Sequence, residues 1–366
     1  MSAPPPASVL VVGTGLLGTS IGLALQGGGD LDVRLADPDQ AHLDAAVRRG
    51  AGRPWDGVDP VDLAVVCAPP AHTSGVLTSL LRSGVARTVS HVASIQAGVQ
   101  AEVEAWGGPV DRLCGGHPMA GREVRGPAAA LGRLFLDRPW VLCPGPRTAP
   151  DAVADVAWLA ARCGAVPVLM SPEEHDRAVA LVSHLPQVAA SALAARLEGA
   201  GDDALRLAGP GVQDSTRVAA SDSALWREVL TRNAAEVGPL VQALAADLHA
   251  LGDALTALAD RPEDETAARA VVDVLERGAR GRSRLPLKSR SGPHRLDRVV
   301  VDVPDEPGQL AAALQAAAAA GVNVEDLRVE HLPGRPRGLL ELLVDAGEAA
   351  QAREALAAAG FDVVGG

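Results

Sequence analysis

Apolar and polar positions follow three successive patterns along the chain. Up to about residue 170, short continuous apolar runs alternate with stretches of helical spacing. Continuous apolar runs are typical of parallel strands that are buried on both faces, and their alternation with helices predicts an α/β sheet. Strands are predicted at residues 8–12, 32–36, 62–68, 88–92, 140–143 and 166–170.

The second pattern covers residues 171–284 and is helical. Ser171-Pro172-Glu173-Glu174 is a capping box with proline at the first helical position, which predicts a helix start. The proline in Ser183-His184-Leu185-Pro186 should kink or break that helix. Apolar residues then recur at helical spacing over 234–259 and 264–280, with more apolar length than one small helical layer needs. We therefore expect an all-helical domain with a homodimer interface.

The third pattern follows a basic segment. Residues 277–298 contain eight arginines or lysines and few apolar side chains, which predicts a solvated linker over 285–297. Docking of an acidic partner is the alternative role of this segment. Strand and helix signals then follow one another in the order βαββαβ over residues 298–366, which predicts a small separate domain.

Composition narrows the classes of function. The chain has 366 residues, 45 acidic and 33 basic, and its formal charge of -12 argues against nucleic acid or an anionic membrane as the main partner. We find neither a signal-peptide pattern nor an uninterrupted apolar span. The four cysteines are too far apart for a metal site, which favours free thiols in a reducing cytoplasm.

A glycine-rich turn follows the first predicted strand. Gly13-Thr14-Gly15-Leu16-Leu17-Gly18 has the spacing GxGxxG between a strand and a helix. The first glycine permits the tight turn, the second lets a pyrophosphate approach the backbone, and the third lets helix and strand pack closely. This context predicts an α/β Rossmann-type dinucleotide-binding domain over residues 8–170.

Asp37 identifies the expected dinucleotide. It ends the second predicted strand, 19 residues beyond Gly18, where a carboxylate would accept hydrogen bonds from both ribose hydroxyls. Because it should also repel a 2′-phosphate, NAD is the predicted cofactor in preference to NADP. The alternative is a solvated turn residue before Pro38.

The predicted sheet should bring several loops to one edge. Pro69 and Ser94 each follow a predicted strand, and ligands of open α/β sheets bind at the carboxyl ends of the strands. We expect both residues to meet the segment Gly115-Gly116-His117-Pro118-Met119-Ala120-Gly121-Arg122-Glu123 at that edge. Capping of the following helix is the alternative role of Ser94.

The glycines and proline of that segment predict a turn-forming loop. Glycines at 115, 116 and 121 permit positive φ or close approach to a ligand, and Pro118 fixes φ immediately after the imidazole. Such a loop can present His117 rigidly. The plainer alternative is a histidine that only caps neighbouring backbone.

Arg217 lies in a polar segment, residues 209–222, within the alanine- and leucine-rich helical part. A guanidinium binds a carboxylate in a two-pronged geometry, which makes Arg217 a candidate anion clamp. Asp214 could orient it. Alternatively, the two side chains could form an intramolecular pair on one helix face.

Together these motifs resemble the prephenate and arogenate dehydrogenase family of tyrosine biosynthesis. The resemblance rests on Gly116-His117-Pro118-Met119-Ala120-Gly121 with Glu123, on Asp214-Ser215-Thr216-Arg217 with Ser221, and on Ser183-His184-Leu185-Pro186. It covers residues 8–284. One departure is that His91-Val92-Ala93-Ser94-Ile95-Gln96 stands where the family usually has Asp-x-x-Ser-x-Lys, so the lysine's contribution near the cofactor is missing.

The resemblance implies an NAD-dependent oxidative decarboxylation, in which hydride leaves the hydroxyl-bearing carbon of prephenate, CO₂ departs and the ring becomes aromatic. Neutral His117 would take the hydroxyl proton, and Ser94 would hydrogen-bond the hydroxyl or the histidine. Arg217 would bind a substrate carboxylate. The other implied pocket residues are His184, Glu123 as a gate or loop support, and Asp214 and Ser221 as supports for the arginine.

The last domain resembles an ACT domain, an amino-acid-sensing unit. The resemblance rests on Val303-Pro304-Asp305-Glu306-Pro307-Gly308-Gln309-Leu310 and on Gly321-Val322-Asn323-Val324. It implies an amino-acid effector near Gly308, Gln309, Leu310 and Asn323, and feedback by the end product if that effector is tyrosine.

Three interpretations of the whole chain follow. The first is a prephenate dehydrogenase with an ACT domain. The second keeps the fold and chemistry but acts on arogenate or on an amino analogue such as 4-amino-4-deoxyprephenate, because the ring chemistry is shared. The third is a catalytically weak amino-acid sensor, against which the complete set His117, Ser94 and Arg217 argues.

Overall fold

The computed structural model describes residues 4–29, 31–122, 124–285, 296–331 and 336–364. They belong to two units, residues 1–248 and residues 249–366. None of the helices in the described ranges combines the length and apolar character that a membrane span requires. No group of three or more metal-ligating side chains in these ranges could hold a metal ion.

An eight-stranded sheet forms the centre of the first unit. Its strands are β1 (Ser8–Val12), β2 (Asp32–Ala36), β3 (Arg53–Pro54), β4 (Val61–Val66), β5 (Ala86–His91), β6 (Leu113–Pro118), β7 (Pro139–Pro144) and β8 (Val166–Leu169). Their spatial order is β3-β2-β1-β4-β5-β6-β7-β8, and all neighbours are parallel except β6 and β7. The strand order reverses between β1 and β4, which places a ligand crevice at the carboxyl end of β1. The predicted Rossmann-type fold is confirmed.

Helices cover both faces of this sheet. They are α1 (Leu16–Gln26), α2 (Gln40–Arg48), α3 (Pro70–Ser83), α4 (Ala97–Ala105) and α5 (Pro150–Arg162), with 3-10 turns at Val110–Arg112 and Pro127–Ala129. In β1, Val9 and Val11 belong to one buried apolar cluster and Leu10 to another on the opposite face. A strand buried on both faces needs a continuous apolar run, which explains the pattern at residues 8–12.

The segment around His117 differs from the prediction. Residues 115–118 are not a loop but part of strand β6, which pairs with β5 and β7. The glycines at 115, 116 and 121 do not have positive φ. Gly115 and Gly116 are required by close packing instead, because a Cβ on Gly115 would collide with the side chain of Gln96 and one on Gly116 would lie 2.8 Å from Nε1 of Trp140.

Helices make up the rest of the first unit. They are α6 (Pro172–Val179), α7 (Leu185–Ala194), α8 (Asp202–Leu205), α9 (Pro210–Thr216), α10 (Ser223–Arg232) and α11 (Ala234–Asp260), with a π-helical turn at Ala180–His184 and a 3-10 turn at Arg217–Ala220. The predicted capping box is present, since Ser171 Oγ accepts from the Glu174 N–H and the Glu174 carboxylate accepts from the Ser171 N–H.

The predicted interruption near Pro186 is a π-helical turn rather than a break. Helix α6 continues through this turn into α7, and Pro186 lies in the first turn of α7. A proline is tolerated in the first turn of a helix because the amides there have no intrahelical partner. The π-helical turn ends at His184, whose side chain is buried.

The second unit contains the end of α11 and a small α/β module. Its other elements are α12 (Glu265–Ser283), β9 (Leu296–Pro304), α13 (Gln309–Ala319), β10 (Val324–His331), β11 (Arg337–Asp345), α14 (Ala349–Ala358) and β12 (Asp362–Val364). The four strands form an antiparallel sheet in the order β10-β11-β9-β12. This is the βαββαβ order predicted from the sequence, whereas residues 286–295 of the predicted linker lie outside the described residues.

Candidate active site

The glycine-rich turn forms an open cradle at the carboxyl end of β1. Gly13 has φ +99, and a Cβ there would lie 2.7 Å from the carbonyl oxygen of Cys67. A Cβ on Gly18 would collide with the Gly13 carbonyl, whereas Gly15 has open space around it. Gly15 is also the N-cap of α1, with no side chain capping the helix. The first amides of α1, at Leu16 and Leu17, therefore lie next to open space at Gly15, which is the arrangement by which helix N-termini bind phosphate groups.

Asp37 lies beside this cradle. Its Oδ2 accepts hydrogen bonds from the backbone N–H (2.6 Å) and the hydroxyl (2.9 Å) of Thr14, and its Oδ1 accepts from the Asp39 N–H (2.8 Å). Asp39 in turn caps α2. The two carboxylates make the end of β2 acidic, which favours ribose hydroxyls over a 2′-phosphate. Pro69, the N-cap of α3, follows the Cys67 segment that packs on Gly13.

Strand β6 holds His117 next to two residues of α6. His117 Nδ1 lies 2.9 Å from His175 Nε2, and His175 Nδ1 lies 2.8 Å from Asp176 Oδ1. The two imidazoles meet edge to face, with ring centroids 5.1 Å apart. His117 is half-buried, while His175 and Asp176 are only 1% and 4% exposed. A buried carboxylate is therefore linked to His117 through a second imidazole.

The Asp176 carboxylate also caps α4. Its two oxygens accept hydrogen bonds from the N–H groups of Gln96 and Ala97, each at 2.9 Å. No side chain from the α4 segment itself caps that helix. The turn that carries Ser94 immediately precedes these amides, so one carboxylate from α6 fixes both the turn and the histidine pair.

Gln96 ties the same turn to β6. Its side-chain amide nitrogen donates to the carbonyl oxygens of Ala93 (2.5 Å) and Gly116 (3.1 Å). Its Oε1 is buried and has no hydrogen-bond partner among the described residues. In the parallel pair β5 and β6, His91 lies opposite Gly115. Ser94 comes three residues after His91 and His117 two residues after Gly115, so both lie at the same edge of the sheet.

His184 joins this cluster through Asn233. The amide nitrogen of Asn233 donates to the carbonyl oxygen of Asp176 (2.9 Å) and lies 3.1 Å from His184 Nδ1. Because that nitrogen can only donate, His184 Nδ1 accepts and the His184 proton is on Nε2. Trp226 meets the His184 ring edge to face, with centroids 5.8 Å apart.

Burial keeps the imidazoles of His117, His91 and His184 neutral. Burial is the main cause that lowers the pKa of His117 to about 3, and the neighbouring imidazoles of His175, His184 and His91 contribute to the same shift. Burial also lowers the pKa of His91 to about 4 and the pKa of His184 below its usual value. A neutral imidazole can accept a proton, so His117 has the protonation state that a general base requires.

Three of the other predicted pocket residues, Arg217, Asp214 and Ser221, lie on the helical part. Arg217 is exposed and begins the 3-10 turn, which packs against α7. Asp214 is exposed near the end of α9. The Ser221 hydroxyl donates to the Val218 carbonyl and closes the turn. Glu123 lies outside the described residues. The common site of Arg217, Ser94 and His117 therefore stays a prediction.

In the second unit, the predicted effector residues lie at the start of α13 and before β10. Gly308, followed by Gln309 and Leu310, has φ +93 and is the N-cap of α13, with no side chain capping the helix. The Asn323 backbone N–H donates to Glu348 (3.0 Å) and its side-chain amide donates to Glu325 (2.6 Å).

Four residues of the site were not expected. His175, Asp176, Gln96 and Asn233 form the hydrogen bonds that hold His117, Ser94 and His184 in place. The available sequence signal was the adjacent pair His175-Asp176 directly after a capping box. Adjacent ionisable residues are usually solvated, and only their burial on the inner side of α6 distinguishes them.

A Rossmann-type sheet with an open dinucleotide cradle, and a half-buried neutral imidazole at the same sheet edge, defines a nucleotide-dependent dehydrogenase. Residues 21–169 match the family model of the prephenate dehydrogenase nucleotide-binding domain. Residues 171–266 match the model of the prephenate dehydrogenase dimerization domain. The chain belongs to the prephenate dehydrogenase family.

Individual relatives agree with the family models. The probable prephenate dehydrogenase NovF of Streptomyces niveus is 38% identical over 335 residues, which are 90% of this chain and 91% of that protein. The prephenate dehydrogenase of A. aeolicus, solved with hydroxyphenyl propionate and NAD⁺, is 25% identical with a TM-score of 0.66 and covers 77% of this chain and 98% of its own. Synechocystis arogenate dehydrogenase is 25% identical with a TM-score of 0.62, and the match covers 75% of this chain and 99% of that chain. The predicted family and the predicted class, an NAD-dependent oxidoreductase, are confirmed.

Proposed function

We propose that this chain catalyses the NAD-dependent oxidative decarboxylation of prephenate to 4-hydroxyphenylpyruvate, with His117 as the general base. The observation that carries the proposal is the position of His117. It is neutral, half-buried and held through Nδ1 at the carboxyl edge of the sheet that also carries the dinucleotide cradle. This arrangement leaves Nε2 as the nitrogen that can take a proton.

The cofactor proposed for the cradle is NAD. The backbone amides after Gly15 would hold the pyrophosphate, Asp37 would accept from the ribose hydroxyls, and Pro69 would line the cradle. When bound, NAD⁺ supplies an acceptor for the hydride that leaves the substrate. Gln96 does not supply the charge of a lysine, so its part in cofactor binding is indirect, through the turn that it fixes.

The substrate steps divide among three side chains. His117 Nε2 takes the proton of the ring hydroxyl while Ser94 hydrogen-bonds that hydroxyl or the imidazole. As the C–H bond breaks and its hydride leaves, the electrons of the bond to the ring carboxylate move into the ring, CO₂ departs and aromaticity drives the step. Because the product is a phenol, the proton then returns from His117 to the phenolate oxygen. Arg217 binds a substrate carboxylate, since a guanidinium can pair with it through two donors.

His184 supplies a further donor. Its proton is on Nε2, because Nδ1 accepts from Asn233, so the imidazole can donate to a substrate oxygen without being charged. Asp214 and Ser221 lie on either side of Arg217 in sequence and are proposed to support it. The proposed role of Glu123, gating or holding the loop after β6, concerns a residue outside the described ranges.

A second candidate substrate is arogenate, which is favoured by the likeness to Synechocystis arogenate dehydrogenase; an amino analogue of prephenate uses the same chemistry. The test is an assay of reduced-cofactor formation with prephenate and arogenate, each with NAD and NADP. We expect the highest kcat/KM with prephenate and NAD. A rate confined to arogenate would change the substrate but keep the base, and no rate with either substrate would reject the proposal.

A homodimer is part of the proposal. Its support is a pair of long helices that leave large apolar side chains exposed: Leu248 and Leu255 on α11, and Val272 and Leu275 on α12. Contiguous exposed apolar surface indicates a protein–protein interface. Light scattering should give twice the chain mass, and a monomer would contradict the proposal. We also propose a cytoplasmic location, supported by four cysteines that are all unpaired.

The small module is proposed to bind an amino-acid effector, with tyrosine as the first ligand to test. The uncapped start of α13 at Gly308 offers backbone donors to a carboxylate, and Asn323 lies before the next strand, β10. Tyrosine should change kcat/KM or raise the midpoint of thermal unfolding, because an effector must bind one state of the protein better than the other. No effect on either quantity would exclude tyrosine.

A further inference from the structure

His175 and Asp176 are buried polar residues that have no place in the proposed chemistry so far. Asp176 is surrounded by three donors: the N–H groups of Gln96 and Ala97, and His175 Nδ1. Burying a carboxylate is costly unless it is hydrogen-bonded, and these three contacts satisfy it as an anion. Asp176 could cap α4 through its hydrogen bonds with the backbone amides alone. Its contact with His175 therefore has a separate function.

The hydrogen-bond directions along the chain of three residues can be assigned. Both oxygens of an ionised carboxylate can only accept, so His175 Nδ1 carries a proton and donates it to Asp176. In a neutral imidazole the other nitrogen is then an acceptor, so His175 Nε2 accepts. His117 Nδ1, at 2.9 Å, must therefore carry the proton and donate it. The lone pair of His117 is left on Nε2.

We infer that His175 and Asp176 are positioning residues for the base. Asp176 fixes the tautomer of His175, and His175 fixes His117 in the tautomer whose Nε2 can accept the substrate proton. The inference rests on the proposed function, because the tautomer of His117 affects the reaction only if His117 is the base. The same chain stabilises the imidazolium formed in the reaction, since positive charge on His117 is linked through His175 to the buried anion.

The arrangement also explains why the pair comes from α6. Asp176 caps α4, which begins just after the Ser94 turn, and His175 contacts His117 on β6. Adjacent residues on one helix thus set the positions of the proposed hydroxyl donor and the proposed base together. A substitution of Asp176 would disturb the α4 cap as well as the histidine pair, so variants of His175 give the cleaner test.

The first test reads the tautomer directly. Protein labelled with ¹⁵N in the histidine rings should show His117 with a protonated Nδ1 and an unprotonated Nε2, its signals assigned by their loss in His117→Asn. His175→Leu removes the acceptor and should shift His117 to the Nε2–H tautomer or a mixture. Wild-type protein with His117 already in the Nε2–H form would overturn the inference, and this measurement needs no activity and no variant of His175.

The second test uses kinetics and a conservative variant. His175→Leu should lower kcat with prephenate by about 10²–10⁴-fold, the range for losing the tautomer of a catalytic histidine, while the Kd for NADH stays unchanged. His175→Gln places an amide oxygen where Nε2 was, and should recover kcat to within roughly tenfold of wild type. The matched control is His249→Leu, because His249 also pairs with an aspartate, Asp253 at 3.5 Å, but is 84% exposed.

The outcomes separate this inference from the proposed function. A wild-type kcat in His175→Leu, or a reduced kcat with the His117 tautomer unchanged, would overturn the positioning role while leaving His117 as the base. A wild-type kcat in His117→Asn would instead reject the proposed base. Loss of kcat together with a changed tautomer in His175→Leu, and recovery of both in His175→Gln, is the expected result.

Discussion

Substitution of Gly115 tests whether close packing around β6 sustains the site. In Gly115→Ala the new Cβ would collide with Gln96 Oε1 and would lie 3.0 Å from His91 Nε2 and 3.2 Å from the carbonyl oxygen of Cys143. His91 and Gln96 are each 1% exposed, so neither can swing into solvent. To remove these clashes, either Gln96 must break its hydrogen bonds to the two carbonyl oxygens or β6 must move away from β7.

The expected cost follows from those contacts. Overpacking a filled interior typically lowers the free energy of unfolding by about 1–3 kcal/mol. Alanine also reduces the conformational entropy of the unfolded chain, which offsets about 0.4–1 kcal/mol of this loss. The midpoint of thermal unfolding should therefore fall by several degrees, at roughly 2–4 °C per kcal/mol for a domain of this size. Activity should fall as well, because Gln96 holds the Ser94 turn against the strand of His117.

The assay is calorimetry of the purified variants, combined with NADH formation from prephenate. Gly75→Ala is the matched control: Gly75 is exposed within α3, has open space around it and should accept alanine with unchanged kcat and a small gain in stability. Gly115→Ala with the stability and kcat of wild type would refute the packing explanation of this glycine.

His117→Asn should lower kcat by about 10²–10⁴-fold with an unchanged Kd for NADH, measured by fluorescence, and a preserved kcat would remove His117 from the role of base. Arg217→Gln should raise KM for prephenate by about ten- to a hundredfold, since a charge-assisted hydrogen bond contributes about 1.5–3 kcal/mol; an unmoved KM in steady-state kinetics would place the clamp elsewhere. Asp37→Ala should lower the ratio of kcat/KM for NAD to that for NADP, and a wild-type enzyme that prefers NADP would contradict the role of Asp37. Acidification from pH 7 to pH 5 should lower the thermal midpoint, because burial lowers the pKa of His91 to about 4. Below the ordinary pKa of 6.5 the imidazole of His91 takes up a proton in the unfolded chain but not in the folded protein, so stability is lost as the pH falls. His91→Gln should weaken this pH dependence of the thermal midpoint. An equal pH dependence in both proteins would contradict the role of His91.

Elements with local causes were predictable from the sequence. Strand β1 occupies the predicted residues, since each of its central side chains is buried on one face of the sheet or the other. The start of α6 was equally clear, because the capping box at Ser171 involves residues only three positions apart. Gly13, Gly15 and Gly18 were assigned separate roles in the turn, and the space around each agrees with its role.

Strand β6 could not be predicted in this way. Gly115, Gly116 and Pro118 favour turns in isolation, so the segment was expected to be a loop. Its extended conformation depends on hydrogen bonding to β5 and β7, which are distant in sequence. The same glycines that argued for a loop are there because Gln96 and Trp140 approach the backbone too closely for a side chain.

The histidine chain was beyond sequence reasoning for the same physical reason. His117 and His175 are 58 positions apart, and Gln96 and Asp176 are 80 positions apart. Each pair meets only after the sheet and α6 have packed together. His175 and Asp176 pair locally with each other, but adjacent ionisable residues do not indicate burial, so their role follows from the tertiary contacts alone.

The cap of α4 has a consequence for how the protein is made. Ala97 leaves the ribosome well before Asp176, since 79 positions separate the amide from the carboxylate that accepts its proton. A nascent chain that ends near residue 170 contains all eight strands of the first sheet and the glycine-rich turn, but the amides beside the Ser94 turn still lack their acceptor. Translation of α6 supplies it, so the Ser94 turn acquires its final hydrogen bonds only after residue 176 has been added.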